Sequence, residues 1–261
     1  MTRRCVAWLR VSAATAAAVV LAAGLSLTFT ASATAQIPDK FENLQVLPKD
    51  ITKPALTQRM RELSLSLNVR CQYCHTGGDG VSFDGVDFKS DDKSAKKKAR
   101  QMLKMVDEIN TKLLTAVPDR VEPAVRVDCV TCHHGLAVPK TLAQTLTETI
   151  AKEGAPAAVA QYRKLRETTM VSGRYDFGEW SVTELARALK EKGDTASAVA
   201  MLEVNGEFNP KSPAIDAILG DLHRERGERD KAIARYKAAL EKNPKLEEAR
   251  KRLAELEAES K

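Results

Sequence analysis

Two pentads hold most of the reactive side chains of this chain: Cys71-Gln72-Tyr73-Cys74-His75 and Cys129-Val130-Thr131-Cys132-His133. Together they take four of its five cysteines and two of its four histidines. Two thiols three residues apart lie on one face of a helical turn, where they can form thioethers to the two vinyl groups of one haem. The histidine that follows projects beneath the ring and offers its imidazole to iron. Other uses of paired cysteines fit less well. Zinc ribbons pair such units across about 15–20 residues, whereas 54 residues separate Cys74 from Cys129. A thioredoxin-like centre needs a single pair beside a βαβ pattern, and none is readable here. Two short-range disulfides would suit an oxidising compartment but leave the histidine after each pair unexplained. The pentads therefore predict two covalently bound haem c groups. Cys71, Cys74, Cys129 and Cys132 are the attachment points, and His75 and His133 the proximal iron ligands.

Whether a second protein group closes each iron decides between passing electrons and reacting at the metal. His134 directly follows a proximal ligand and His223 lies far along the chain, so methionine is the favoured axial partner. Met60 falls on a helix entered at Pro54, where Leu56, Met60, Leu63 and Leu67 recur at steps of four, three and four. Asn68 can close that helix in the left-handed conformation, and Cys71 follows Met60 by eleven residues. A second helix, capped by Asp91, Asp92 or Ser94, carries Ala99, Met102, Val106, Ile109 and Leu113 on one face ahead of Cys129. Met102 lies at the centre of that face and Met105 at its edge, which makes Met102 the expected ligand and Met105 the reserve. A methionine on such a face is more commonly plain core, and His134 reaching the other haem is a further alternative. Closed irons imply one-electron transfer between redox partner proteins. An iron left open would imply a diheme peroxidase or reductase, and a redox sensor is a third reading.

The elements that must position these groups read as helices throughout. Aromatic residues make up only 5% of the chain, and Ala, Leu, Lys, Arg and Glu abound, so the expected fold class is all-α. Residues 1–35 read as a secretory signal. Arg3, Arg4 and Arg10 precede an apolar stretch at about 11–29, and Ala33-Thr34-Ala35 offers a small-residue cleavage site. Its alternative is an uncleaved anchor, although the stretch is mostly Ala, Ser and Thr. Either way the rest of the chain is expected in the periplasm, with Cys5 removed or idle. Loss of the three arginines takes the formal charge from +6 to +3, which gives no footprint for nucleic acid. The run Lys93, Lys96, Lys97, Lys98 and Arg100 could steer an acidic redox partner, but such a run is more often a helix's solvated face.

Residues 180–248 repeat with a period of 34. Leu185 recurs as Leu219, Gly193-Asp194 as Gly227-Glu228, Ala198 as Ala232, Ala200 as Ala234, and Asn209-Pro210 as Asn243-Pro244. Alanines that let paired helices approach, and an Asn-Pro that ends each pair, resemble tetratricopeptide repeats. A final helix at about 246–259 would cap the array, and helices at 141–152 and 156–167 would complete the stack. Such an array reads either as a docking surface for a protein partner or as a stabilising appendage. The expected organisation is a signal at 1–35, a diheme domain at 36–140, linking helices at 141–179 and repeats at 180–261.

Residues 41–139 also resemble the cytochrome subunit of the photosynthetic reaction centre family. The matching pieces are Phe41-Glu42-Asn43-Leu44-Gln45-Val46-Leu47, Met60 eleven residues ahead of Cys71, and Asp91-Asp92-Lys93. Lys97-Lys98-Ala99-Arg100-Gln101-Met102, Ile109-Asn110, and Cys132-His133-His134-Gly135 followed by Pro139 complete them. In that family a methionine on the helix before each Cys-x-x-Cys-His usually fills the sixth iron position, which implies Met60 and Met102. The interval from Met102 to Cys129 is a few residues long for the family, which keeps Met105 as the reserve. The resemblance further implies electron transfer with a reaction centre or another membrane complex as partner. The photosynthetic subunit typically carries four haems, whereas this chain has two attachment pentads.

Overall fold

The computed structural model describes residues 37–121 and 123–258, so the expected signal at 1–35 lies outside the described residues. From residue 37 an irregular strap leads into helix α1, Lys53–Leu67. Thr52 caps α1 by accepting from the Ala55 amide, Pro54 lies in its first turn, and Asn68 closes it at φ 53°. Both the proline entry and the asparagine exit are as the sequence predicts. A short 3₁₀ turn, Cys71–Tyr73, then carries the first pentad.

Helix α2, Ser94–Glu108, differs from expectation at both ends. Its N-cap position is Lys93, with no side-chain cap; Asp91 is engaged elsewhere and Ser94 is already helical. At its C-terminal end the chain widens into a π turn, Ile109–Leu113. The added residue of a π turn rotates everything after it by roughly 100°. Leu113, expected on the apolar face, is therefore exposed, and Asn110 points inward. Asn110 donates to the Val106 carbonyl at 2.9 Å and the Val127 carbonyl at 2.7 Å, and accepts from the Val127 amide at 2.8 Å. One side-chain amide thus satisfies both polar groups of the residue two places before Cys129. Helix α3, Cys129–His133, follows at once. Asp128 and Thr131 form a capping box at its start, and His134 closes it at φ 48°.

The remaining helices build a succession of hairpins with its own core. Helix α4, Leu142–Glu153, and α5, Ala155–Thr169, form the first pair. Then come α6, Glu179–Glu191, α7, Thr195–Phe208, α8, Pro213–Glu225, α9, Arg229–Lys242, and α10, Glu247–Ala258. Helices α6 and α8 start 34 residues apart (179 and 213), as do α7 and α9 (195 and 229), which is the sequence period. Gly193 and Gly227 take left-handed φ at equivalent turns, and Ala198 and Ala232 are both fully buried. Leu142, Leu146, Ala158 and Tyr162 share one apolar cluster with Phe177 and the inner faces of α6, α7 and α8. Phe177 joins the first pair to the repeats: its ring meets Tyr162 at 5.9 Å, and Arg166 donates to its carbonyl at 3.0 Å. A second cluster, Ala232, Tyr236, Ala249 and Leu256, ties α10 to α9. Every described helix boundary fits an all-α fold, with a single isolated bridge, Thr76 to Asp87, as the only β pairing among the described residues.

Two expectations follow from this packing. Asn110→Ala leaves the Val127 amide and carbonyl without partners, a loss of about 1–3 kcal/mol; denaturant titration should show it, and an unchanged midpoint would refute the clamp. At Gly220 an added Cβ would lie 2.6 Å from the Tyr236 ring. Gly220→Ala should therefore cost about 1–3 kcal/mol by overpacking, read as a lower thermal midpoint, whereas Gly206→Ala, whose Cβ meets its nearest neighbour at 3.6 Å, should not.

Candidate functional site

Between residues 37 and 140 the apolar side chains do not close on one another. Only Leu56 and Leu103 are buried there among the hydrophobic residues. Many of the others face a cavity of about 790 Å³. Helix α1 lines it with Leu56, Met60, Leu63 and Leu67, and α2 with Ala95, Ala99, Met102, Leu103 and Met105. Cys71, Cys74, His75, Cys129, Cys132 and His133 line the same cavity. The sequence-predicted residues, spread over more than 70 positions, are thus brought to one apolar space. Met102 and Met105 are equally exposed, at 42% each, and the buried line of α2 runs through Lys96 and Leu103 rather than through Met102. His134 caps α3 and does not line the cavity.

The four cysteines of the pentads are free. Burial pushes the Cys74 and Cys129 thiols up, so neither is the low-pKa thiolate of a disulfide oxidoreductase. Among the described residues no group of three or more His, Cys, Asp or Glu side chains is gathered to hold a metal ion directly. Burial first, and Lys96 second, lower His75 to about 4, so its imidazole is neutral and keeps a lone pair for iron at ordinary pH. His133 faces the Leu136 carbonyl through Nδ1 at 2.7 Å, which places the proton on Nδ1 and leaves the lone pair on Nε2. His75 Nδ1 is buried with no hydrogen-bond partner. A cavity with apolar walls that brings two imidazoles and four unpaired thiols onto its lining fits haem c.

Three features of the site have weak or misleading sequence signals. Phe83 and Phe88, in the loop after the first pentad, wall the cavity; the Phe88 ring meets His75 at 5.1 Å and Phe83 at 6.0 Å. That loop is folded back on the pentad by the Asp87 amide, which donates to the Thr76 carbonyl at 2.8 Å. Gly77, at φ 74°, is required at the fold, since a Cβ there would lie 2.0 Å from the Gly85 carbonyl. The strap at 37–47 covers another side of the cavity with Ile37, Phe41, Leu44 and Leu47.

Asp91 is the hub that holds strap, loop and α2 together. It accepts from Arg100 at 2.8 Å, from Asn43 at 2.9 Å and from Gln45 at 3.1 Å, and faces Lys96 at 3.4 Å. The Arg100 guanidinium, with Lys96 behind it, holds the Asp91 carboxyl far below the usual carboxylate range. Lys96 is itself buried and donates to the Phe88 carbonyl at 2.8 Å and the Ser90 carbonyl at 2.6 Å. Lys93 donates to the Gln72 carbonyl. Of the basic run read as a solvated or steering face, Lys93, Lys96 and Arg100 are therefore internal fasteners, and Lys97 and Lys98 are exposed.

Comparison with known proteins bears on the same residues. No curated protein matches the chain. Among solved structures, MamA is 16% identical over 44% of this chain and 64% of its own, with a TM-score of 0.32, so this chain spans under two thirds of it. The Yersinia enterocolitica type III secretion chaperone SycD, in complex with a peptide of the translocator YopD, is 12% identical over 46% and 92%, with a TM-score of 0.32. The Sgt2 TPR domain from Aspergillus fumigatus is 14% identical over 45% and 76%, with a TM-score of 0.31. At these scores the likenesses carry no weight for function. The tetratricopeptide repeat profile matches residues 213–256, which contain α8, α9 and most of α10. The profile of the photosynthetic reaction centre cytochrome C subunit matches residues 11–191, well over half of the chain and all of the cavity lining. The chain, with its cysteines, imidazoles and methionines on one apolar cavity, belongs to the photosynthetic reaction centre cytochrome C subunit family.

Proposed function

We propose that this protein is an exported diheme cytochrome that passes single electrons between periplasmic or membrane-bound partners. The observation that carries the reading is the shared cavity: both pentads and all three candidate methionines line it, in a region that buries only two hydrophobic side chains of its own. In this reading Cys71 and Cys74 hold one haem and Cys129 and Cys132 the other, with His75 and His133 as proximal ligands. Bound haem would supply a one-electron iron couple, whose potential a methionine ligand raises. Met60 and Met102 would hold the irons, with Met105 as the reserve for Met102. The apolar walls keep water from the metal, and Phe83 and Phe88 shield the His75 side.

The family supports a reaction centre, or a membrane complex like it, as the partner, and the repeats support protein docking at the other end of the chain. Export rests on the character of residues 1–35. Two attachment pentads limit this chain to two haems by covalent chemistry, against the four typical of the photosynthetic subunit.

Spectra of the haem-loaded protein test the assignment. The pyridine haemochrome should count two haems per chain, and the unmodified ferrous protein should not bind carbon monoxide. Met60→Ala and Met102→Ala should each open one iron to it. If neither substitution changes ligation, the methionine assignments are wrong; if the unmodified protein binds carbon monoxide and consumes peroxide, the carrier reading gives way to a diheme peroxidase.

A further inference from the structure

Charge is distributed unevenly on the cavity lining. The chain as a whole is nearly balanced, with 41 Lys and Arg against 35 Asp and Glu. Around the cavity, seven Lys and Arg side chains stand against a single carboxylate, Glu42. Three of the seven are already matched: Lys89 lies 3.6 Å from Glu42, and Lys96 and Arg100 share Asp91. The other four, Lys40, Arg61, Arg70 and Lys98, have no carboxylate partner among the described residues. All four are exposed, and Arg70 donates to the Gly80 carbonyl at 3.3 Å. Arg61 directly follows Met60, Arg70 directly precedes Cys71, and Lys98 directly precedes Ala99. Each cation therefore hangs at the edge of a segment whose apolar or reactive side chain faces inward.

Long cationic side chains commonly lay their stems on apolar surface and keep the charge in water. That habit explains a cation at the rim but not the near-absence of acids beside it. Such a lining suits an occupant that is apolar over its body and acidic at its edge. Haem has that character: an apolar ring with two propionate carboxylates, hence four for two rings. On the diheme reading above, we infer that Lys40, Arg61, Arg70 and Lys98 form a carboxylate-binding rim that holds the haem propionates. Four unmatched cations then meet four carboxylates. A carboxylate brought to an apolar wall without a partner is costly, and the rim removes that cost. The two guanidiniums can grip a carboxylate through paired N–H donors, which an ammonium cannot do. Thioethers secure the vinyl side of a haem and the rim its acid side, so the two act on different parts of one ring.

Infrared pH titration of the full haem-loaded chain, with the haem propionates carbon-13 labelled, tests this. The haem count comes first: a chain that attaches no haem sinks the diheme reading and the rim together. In the unmodified protein the propionates should keep their charge to lower pH at low salt than at high salt, because salt screens the rim. Lys40→Gln, Arg61→Gln, Arg70→Gln and Lys98→Gln should each strengthen proton binding at one propionate by about tenfold, since a lost cation disfavours the charged form. Lys97→Gln and Lys104→Gln remove the same charge from exposed positions of α2 off the lining, and should move no propionate. Arg61→Lys and Lys98→Arg keep the charge and should keep most of the effect. Where a Gln variant fails to load haem, the salt dependence of the unmodified protein still decides. Two attached haems whose propionates ignore salt would overturn the rim and leave the diheme reading standing. So would four Gln variants with unmoved propionates, or equal shifts in Lys97→Gln and Lys104→Gln.

Discussion

The N-terminal half of this molecule is organised around apolar surface that its own side chains do not cover. Hydrophobic residues from α1, α2, the strap and the loop after the first pentad line one space, and only Leu56 and Leu103 of that half are buried. At about 25 cal/mol per Å² of apolar area removed from water, such a lining cannot stabilise a fold until something apolar fills it. A covalently attached macrocycle does this, and its attachment makes the filling permanent. The same requirement explains why the polar fastenings are so dense here. Without a packed core to define geometry, the Asp91 hub, the Asn110 clamp and the Lys96 and Lys93 carbonyl contacts fix where each wall stands.

The C-terminal half answers to the opposite constraint. Helices α4 to α10 bury Leu, Ala, Tyr and Val side chains completely, in the manner of stacked hairpins whose neighbours supply each other's core. Its polar groups are matched pairs at the seams: Asn205 donates to the Glu179 carbonyl at 2.9 Å, Tyr236 donates to Asp221 at 2.6 Å, and His223 meets Glu228 at 2.7 Å. That half holds together by apolar contact that needs no cofactor. The two halves meet where Arg174, just past α5, lies over the Gly135 turn that follows the second pentad, with its nearest guanidinium nitrogen 3.4 Å from where a Cβ on Gly135 would sit.

What was legible in the sequence was whatever depends on local spacing. The pentads, the Pro54 entry and Asn68 exit of α1, the apolar step through Met60 and the 34-residue period all read directly, because each is fixed within a few turns of chain. What was hidden depends on contacts between distant segments. Asp91 looks like a helix cap because it stands three residues before α2, and only the fold brings Asn43, Gln45 and Arg100 to compete for it. Lys96 looks like a member of a solvated run because charge patterning carries no record of which member faces inward. The π turn after α2 breaks the period on which the apolar face was read, so Leu113 turned outward and Asn110 inward. Phe83 and Phe88 were unreadable as walls because a loop has no period at all. Gly220 carries no local signal either, since its need is set by the Tyr236 ring on the next helix.

Lys96 is a buried lysine whose one charge fastens three segments of the fold. Its ammonium must be stripped of water to reach the Phe88 and Ser90 carbonyls, and that cost is tolerable only because those acceptors and Asp91 stand ready to replace the water. Once the charge is so held, the low local dielectric that made its burial expensive also strengthens its attraction to Asp91. A neutral fastener such as glutamine could bridge the same carbonyls at less desolvation cost, but it would leave Asp91 with one cation fewer. The lysine at position 96 is therefore explained by its contacts across the fold rather than by the helix that carries it. It also ties the Phe88 wall to the Asp91 hub, so that a change in one cannot leave the other untouched.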